Sequence, residues 1–96
     1  MDEFKLRKQS SRAEQAKRLL ENELFKEAFT AQRDLIFEMW EKSEKEPQEF
    51  RERLWYQYQG LLGAKEHLEH VIRTGKDAEK KLMEQFGKPS LSRRVL

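Results

Sequence analysis

The residues with the clearest chemical potential are two histidines in the stretch Glu66-His67-Leu68-Glu69-His70. Histidines three positions apart share one face of a helix, which is the simplest arrangement for a shared metal ion. Zinc proteases instead space their histidines four apart with a glutamate beside the first, and an open catalytic zinc normally takes three protein ligands. This motif has no third strong ligand, and the chain has no cysteine. We therefore expect no metal, and interpret the histidines as solvated side chains or as a pH-sensitive contact in an oligomer interface.

Four aromatic side chains have the shape to stack on nucleobases: Trp40, Trp55, Tyr56 and Tyr58. All but Tyr56 fall on apolar faces of the predicted helices, so packing in a core or an interface explains them better. Tyr56 points away from the main apolar stripe, and we predict that it is a surface contact residue.

No pattern in the chain predicts catalysis or a cofactor. A serine-nucleophile motif, a glycine-rich phosphate loop and a distinctive carboxylate pair are all missing from the sequence. We therefore expect a non-enzymatic protein.

Charge is distributed unevenly along the chain, although the formal net charge is only +2. The two ends are basic, and the stretch from Glu23 to Glu49 has four basic against eight acidic residues. Basic residues near the C-terminus could contact nucleic acid or a protein partner. These are Lys80, Lys81, Lys88, Arg93 and Arg94. Acidic residues interrupt the basic groups and no helix-turn-helix spacing is evident, so we expect DNA to be at most a weak partner.

The longest helical pattern runs from Pro47 to Thr74, and the rest of the chain must be arranged around it. Its large apolar residues recur at helical spacing and cover an arc of about 200° on a helical wheel, where a helix with one partner shows little more than about 100°. A chain of 96 residues in which 40% are charged has little other apolar material to cover that arc. We therefore expect several copies to share the surface.

The other elements follow from periodicity and from helix-terminating residues. Helices are predicted over 11–22, 23–43, 47–74 and 77–86; residues 1–10 either fray or extend the first helix, and 87–96 form a basic tail. Ser11 with Glu14 fits a capping box, Asn22 fits an N-cap, and Gly75 fits a left-handed helix cap. The prediction is a single all-α domain: a long antiparallel helical hairpin with short flanking N- and C-terminal helices, which oligomerises.

Two glycines inside the long predicted helix need an explanation, since each costs about 1 kcal/mol relative to alanine. Either the helix tolerates or kinks at Gly60 and Gly63, or their small size forms a second helix-packing surface. We predict an oligomer interface that includes both glycines together with aromatic and aliphatic neighbours. Its members are Trp55, Tyr56, Tyr58, Gly60, Leu62 and Gly63.

Several short segments resemble a type of small, poorly characterised helical protein of tailed bacteriophages. The resemblance is carried by Arg12-Ala13-x-x-Ala16-x-x-Leu19-Leu20, Leu24-Phe25-x-Glu27-Ala28-Phe29, Arg51-x-Arg53-Leu54-Trp55, His67-Leu68 and Ile72-x-x-Gly75-Lys76-x-Ala78. Members often have a proline after the residue matching Asn22, where this chain has Glu23. The resemblance implies a viral origin and a role in head assembly or DNA packaging, and it supplies no catalytic residues.

Three functions fit these observations. The first is a homo-oligomeric phage protein that acts through contacts with itself and with phage or host proteins, as a small terminase subunit does. The second is an early phage inhibitor of a host defence factor, which captures a protein or a nucleotide or mimics DNA with an acidic face. The residues of that acidic face would be Glu38, Glu41, Glu44, Glu46 and Glu49. The third is a weak nucleic-acid-binding regulator.

The expected location is the cytoplasm of a bacterial host cell, or the virion. No apolar run approaches the roughly 18 residues of a membrane span, and residues 1–10 lack the apolar core of a signal peptide. We therefore expect no membrane partner.

Overall fold

Residues 2–87 fold into three α-helices, and the all-α prediction is confirmed. The computed structural model describes residues 2–87, and no strand occurs among them. Helix α1 spans Glu3–Glu21, α2 spans Glu23–Glu41 and α3 spans Gln48–Phe86. None of these helices is long and apolar enough to cross a membrane.

Helix α1 begins eight residues before the predicted start at Ser11. Its first turn is capped at Asp2, whose side chain accepts a hydrogen bond from the backbone N–H of Phe4 at 3.4 Å. The proposed capping box of Ser11 and Glu14 is wrong, because both residues lie inside the helix. The early start matters for packing, since it brings the fully buried Leu6 into the helix.

The junction between α1 and α2 is the single residue Asn22, as its side-chain chemistry predicts. Asn22 has an extended backbone (φ −69°, ψ 129°), and its side-chain oxygen accepts a hydrogen bond from the N–H of Phe25 at 2.9 Å. This is the geometry of an N-cap, and it satisfies one of the backbone donors that a new helix leaves unpaired.

Helix α3 continues through Gly75, so the predicted helix end at Thr74 and the separate helix over 77–86 are both wrong. Gly75 does not have the left-handed backbone conformation; Gly87, with φ 65°, has it and follows the end of α3. Gly75 is buried, and a Cβ added there would overlap the Cβ of Ala13. Its small size is used for close helix packing and not for a turn.

The chain divides into two compact units. Unit 1 contains α1 and the part of α3 from His67 onward, and its apolar centre is the buried cluster of Leu6, Ala78 and Leu82. Buried Ser10 donates a hydrogen bond from its Oγ to Oε2 of Glu79 at 2.5 Å, so its hydroxyl has a partner.

Unit 2 contains Asn22 to Glu66, that is α2, the turn after it and the first part of α3. Its buried apolar residues are Ile36 and Leu54. The ring centroids of Phe37 and Tyr58 are 5.0 Å apart with the planes tilted by 53°, and the ammonium of Lys65 lies 5.4 Å from the ring centroid of Phe29. This unit is therefore joined mainly by half-exposed side chains.

A candidate interaction surface

The turn between α2 and α3 is fixed by a buried serine. Ser43 is 1% exposed and donates a hydrogen bond from its Oγ to the backbone carbonyl of Trp40 at 2.6 Å. The same Oγ accepts a hydrogen bond from Nε of Arg51 at 3.0 Å. One hydroxyl thus ties the last turn of α2 to the first turns of α3, and it leaves neither of its own hydrogen-bonding functions unused.

Arg51 also lies over the ring of Trp40, with its guanidinium carbon 4.2 Å from the ring centroid. This is a cation–π contact, and the hydrogen bond to Ser43 holds the guanidinium in place for it. Nearby on α3, the rings of Trp55 and Tyr56 meet edge to face at 5.3 Å. A shallow cleft of about 280 Å³ is formed by side chains from both helices. Its lining residues are Trp40, Gln48, Arg51, Glu52, Trp55 and Tyr56.

The aromatic residues of this cleft remain largely open to solvent within the chain. Trp40 is 40% exposed, Trp55 52% and Tyr56 65%. Tryptophan, tyrosine and arginine are the residue types most enriched at the energetic centres of protein–protein interfaces. We call these four residues, Trp40, Arg51, Trp55 and Tyr56, the aromatic surface.

The predicted interface residues are only partly brought together. Trp55 and Tyr56 line the cleft, whereas Tyr58 is half-buried against Phe37 and Leu62 is half-buried. Gly60 and Gly63 are exposed, and a Cβ added at either would meet nothing within 4 Å among the described residues. Neither glycine therefore serves a close approach within residues 2–87, and their part in an oligomer interface stays a prediction.

Sequence reasoning missed Trp40, Arg51 and Ser43 as parts of this surface. The sequence pattern places Trp40 on an apolar face of its helix, names Arg51 only within a resemblance segment, and gives Ser43 no role beyond the end of the predicted helix over 23–43. The signal that could have found them is an apolar ring at the last turn of a helix, followed three residues later by a serine and then by an arginine in the next helix.

The acidic residues proposed as a DNA mimic are all exposed, but they are not a uniformly negative face. Glu38 makes a 2.8 Å ion pair with Lys42. The hydrogen bond and the charge of Lys42 lower the pKa of Glu38, and the same hydrogen bond and charge of Glu38 raise the pKa of Lys42. One of the five carboxylates is thereby neutralised in part by its neighbour.

Of the proposed C-terminal contact residues, Lys80 and Lys81 are exposed on α3. Lys88, Arg93 and Arg94 lie outside the described residues. Within residues 2–87, no three histidine or carboxylate side chains are grouped so as to hold a metal ion.

Comparisons with protein-family models, with curated proteins and with solved structures gave no match. What the chain does must therefore be argued from its own surface.

Proposed function

We propose that the chain is a non-enzymatic homo-oligomeric protein that associates through the aromatic surface of unit 2. The single observation that carries this proposal is the exposure of Trp40, Trp55 and Tyr56 around one cleft. Three large rings exposed together are a cost for a monomer in water and a source of binding energy for a complex.

Within each subunit, α2 and the first part of α3 form an antiparallel helical hairpin. Three contacts support this arrangement: Phe29 with Lys65, Phe37 with Tyr58, and Trp40 with Arg51. As the residue number rises along α2, the number of its partner on α3 falls, which is the order that antiparallel helices produce. The hairpin brings the end of α2 beside the start of α3, where the aromatic surface lies.

The partner in the oligomer is a second copy, and a phage or host protein is a further partner. An assembly built from copies has the same surface available on every subunit, so one exposed aromatic cluster suffices to join them. The resemblance to small helical proteins of tailed bacteriophages gives the setting, which is head assembly or DNA packaging in the infected bacterial cytoplasm.

The mass of the particle in solution tests the proposal. Sedimentation velocity over a range of concentrations should give a multiple of 11.6 kDa for the unaltered chain. Trp55→Ala should weaken association by about 30-fold, because truncating a central aromatic residue of an interface costs about 2 kcal/mol or more. Phe4→Ala is the matched control, since Phe4 is an exposed aromatic residue of unit 1 and should leave the mass unchanged.

A helical circular dichroism spectrum and a cooperative melt must accompany each mass, so that loss of association is separated from loss of folding. A particle mass of 11.6 kDa at every concentration of the unaltered chain would contradict the proposal. The phage setting has a separate test: the protein should be found in purified virions or bound to the packaging motor. Co-purification with a host enzyme or with a bound nucleotide would instead favour the alternative function, an early phage inhibitor of a host defence factor.

A further inference from the structure

We infer that unit 1 contains a phosphate-binding cleft formed by Arg12 of α1 and by His67, His70 and Thr74 of α3. The cleft measures about 240 Å³ and its remaining lining residues are Gln9 and Val71. This site is distinct from the aromatic surface, which belongs to unit 2, and it does not depend on self-association.

The chemistry of the lining is that of an anion site. Arginine, histidine, glutamine and threonine all donate hydrogen bonds, and histidine does so in either protonation state. None of the described residues that line the cleft is acidic. Within residues 2–87 Arg12 has no carboxylate within 4.0 Å, so its charge is available to a ligand.

The larger groove of unit 1 does not have this character. It measures about 480 Å³, and its charged lining residues mix both signs: Glu14, Lys17, Lys76, Glu79 and Lys80. An anion entering that groove would meet two carboxylates, whereas the described lining of the smaller cleft contains no carboxylate. The charge of the lining residues, and not the volume, therefore makes the smaller cleft the better anion site.

The helix packing of unit 1 explains why these donors converge. At Gly75 the missing side chain lets α1 approach α3 closely, with the carbonyl oxygen of Gln9 3.0 Å from where a Cβ would be. Arg12 precedes Ala13, the residue packed on Gly75, and Thr74 precedes Gly75 itself. The close contact therefore places Arg12 beside the α3 face that carries His67, His70 and Thr74.

The ligand class is a phosphate group, which pairs with the planar guanidinium of Arg12 through two N–H donors and leaves its other oxygens for imidazole and hydroxyl donors. The group could belong to a free phosphomonoester or to the phosphodiester backbone of a nucleic acid. Both present the same oxygens, and the experiment below separates them.

The test follows the imidazole C–H resonances of His67 and His70 by NMR at pH 7 during titration with inorganic phosphate. Both resonances should move and saturate. In Arg12→Gln the dissociation constant should rise about tenfold or more, because a hydrogen bond from a charged group is lost. Arg18→Gln is the matched control, as Arg18 is an exposed arginine of the same helix outside the cleft.

His67→Ala is a second variant, and it should weaken phosphate binding while the His70 resonance still reports it. Titrations with deoxyadenosine monophosphate and with a single strand of about 12 nucleotides identify the source of the phosphate. Tighter binding of the mononucleotide indicates a phosphomonoester, and tighter binding of the strand indicates a nucleic-acid backbone. The proposal is overturned if inorganic phosphate causes no saturable shift, or if Arg12→Gln and Arg18→Gln weaken it equally.

Discussion

The two units use opposite ways of joining a pair of helices. In unit 1 the contact is made by small and aliphatic residues, with Leu6, Ala78 and Leu82 fully buried and Gly75 packed on Ala13. In unit 2 the buried apolar residues are Ile36 and Leu54, and the tryptophan rings of the unit stay partly exposed. Both units leave some large apolar side chains exposed, Phe4 and Met83 of unit 1 among them. Unit 2 differs in that its exposed tryptophans, Trp40 and Trp55, line one cleft that a second molecule can cover.

Truncating one buried leucine in each unit should show this difference most strongly. Leu82 is 0% exposed and Leu54 is 2% exposed, so Leu82→Ala and Leu54→Ala remove the same atoms from equally buried sites. We expect Leu82→Ala to destabilise the fold by about 4 kcal/mol and Leu54→Ala by about 2 kcal/mol, because Leu82 belongs to a fully buried cluster, whereas the partly exposed side chains of unit 2 have more freedom to fill the space that Leu54 leaves. Urea unfolding of each variant measures the two free energies.

The measurements should be made at concentrations where sedimentation gives a single species, since association would add to the apparent stability. Equal losses at the two positions would mean that unit 2 is packed as tightly as unit 1.

The glycines of α3 give the second contrast. Gly75→Ala should destabilise unit 1 by about 1–3 kcal/mol, because the new Cβ overlaps the side chain of Ala13. Gly60→Ala should instead stabilise the helix by up to about 1 kcal/mol, since a Cβ there meets nothing within 4 Å among the described residues and alanine is the better helix former. Thermal unfolding followed by circular dichroism at 222 nm compares the two variants.

The same pair also tests the predicted role of Gly60 in an oligomer interface. If other copies pack closely on that face, Gly60→Ala should lower the association measured by sedimentation even as it stabilises the helix. Unchanged association would assign Gly60 to mere tolerance within α3. Stabilisation by Gly75→Ala would contradict the close packing of α1 on α3.

Hydrogen bonds between residues close in sequence could be predicted from the sequence, whereas contacts between distant helices could not. The N-cap at Asn22 can be predicted from the sequence because the short asparagine side chain accepts a hydrogen bond from the backbone N–H three residues later. This local contact does not depend on the tertiary structure. A glycine in a helical pattern is ambiguous, since a left-handed cap and a close helix contact need the same residue. Only the position of Ala13, which is more than 60 residues earlier in the sequence, shows that Gly75 is used for a close helix contact.

The candidate surface shows the same limit. The exposure of Trp55 agrees with an apolar arc too wide for the chain to cover, and the exposure of Tyr56 agrees with its position away from that arc. Their grouping with Trp40 and Arg51 depends on the turn that Ser43 fixes. Periodicity assigns a residue to a face of its own helix, and it carries no information on which side chain of the next helix that face meets.

The smallest expected effect concerns Glu38 and Lys42, an exposed pair near the end of α2. The pKa of Glu38 is lowered from 4.5 and that of Lys42 is raised from 10.5, each chiefly by their mutual hydrogen bond. The lowered pKa of Glu38 gives a contribution to stability that is present above pH 4.5 and is lost as the pH falls through the folded-state value. The raised pKa of Lys42 gives a second contribution to stability, which is present below pH 10.5 and is lost as the pH rises through the pKa of Lys42 in the folded state.

Carboxyl NMR titration of Lys42→Met should return the pKa of Glu38 toward 4.5, while Lys45→Met, which removes an exposed lysine of the same turn, should leave it lowered. Because both side chains are largely exposed, neither variant should change the free energy of unfolding measurably. A lowered pKa of Glu38 that persists in Lys42→Met would assign the shift to the turn as a whole. We expect the hydrogen bonds of Ser43 to hold the turn without help from this pair. A clear loss of stability in Lys42→Met would contradict that expectation.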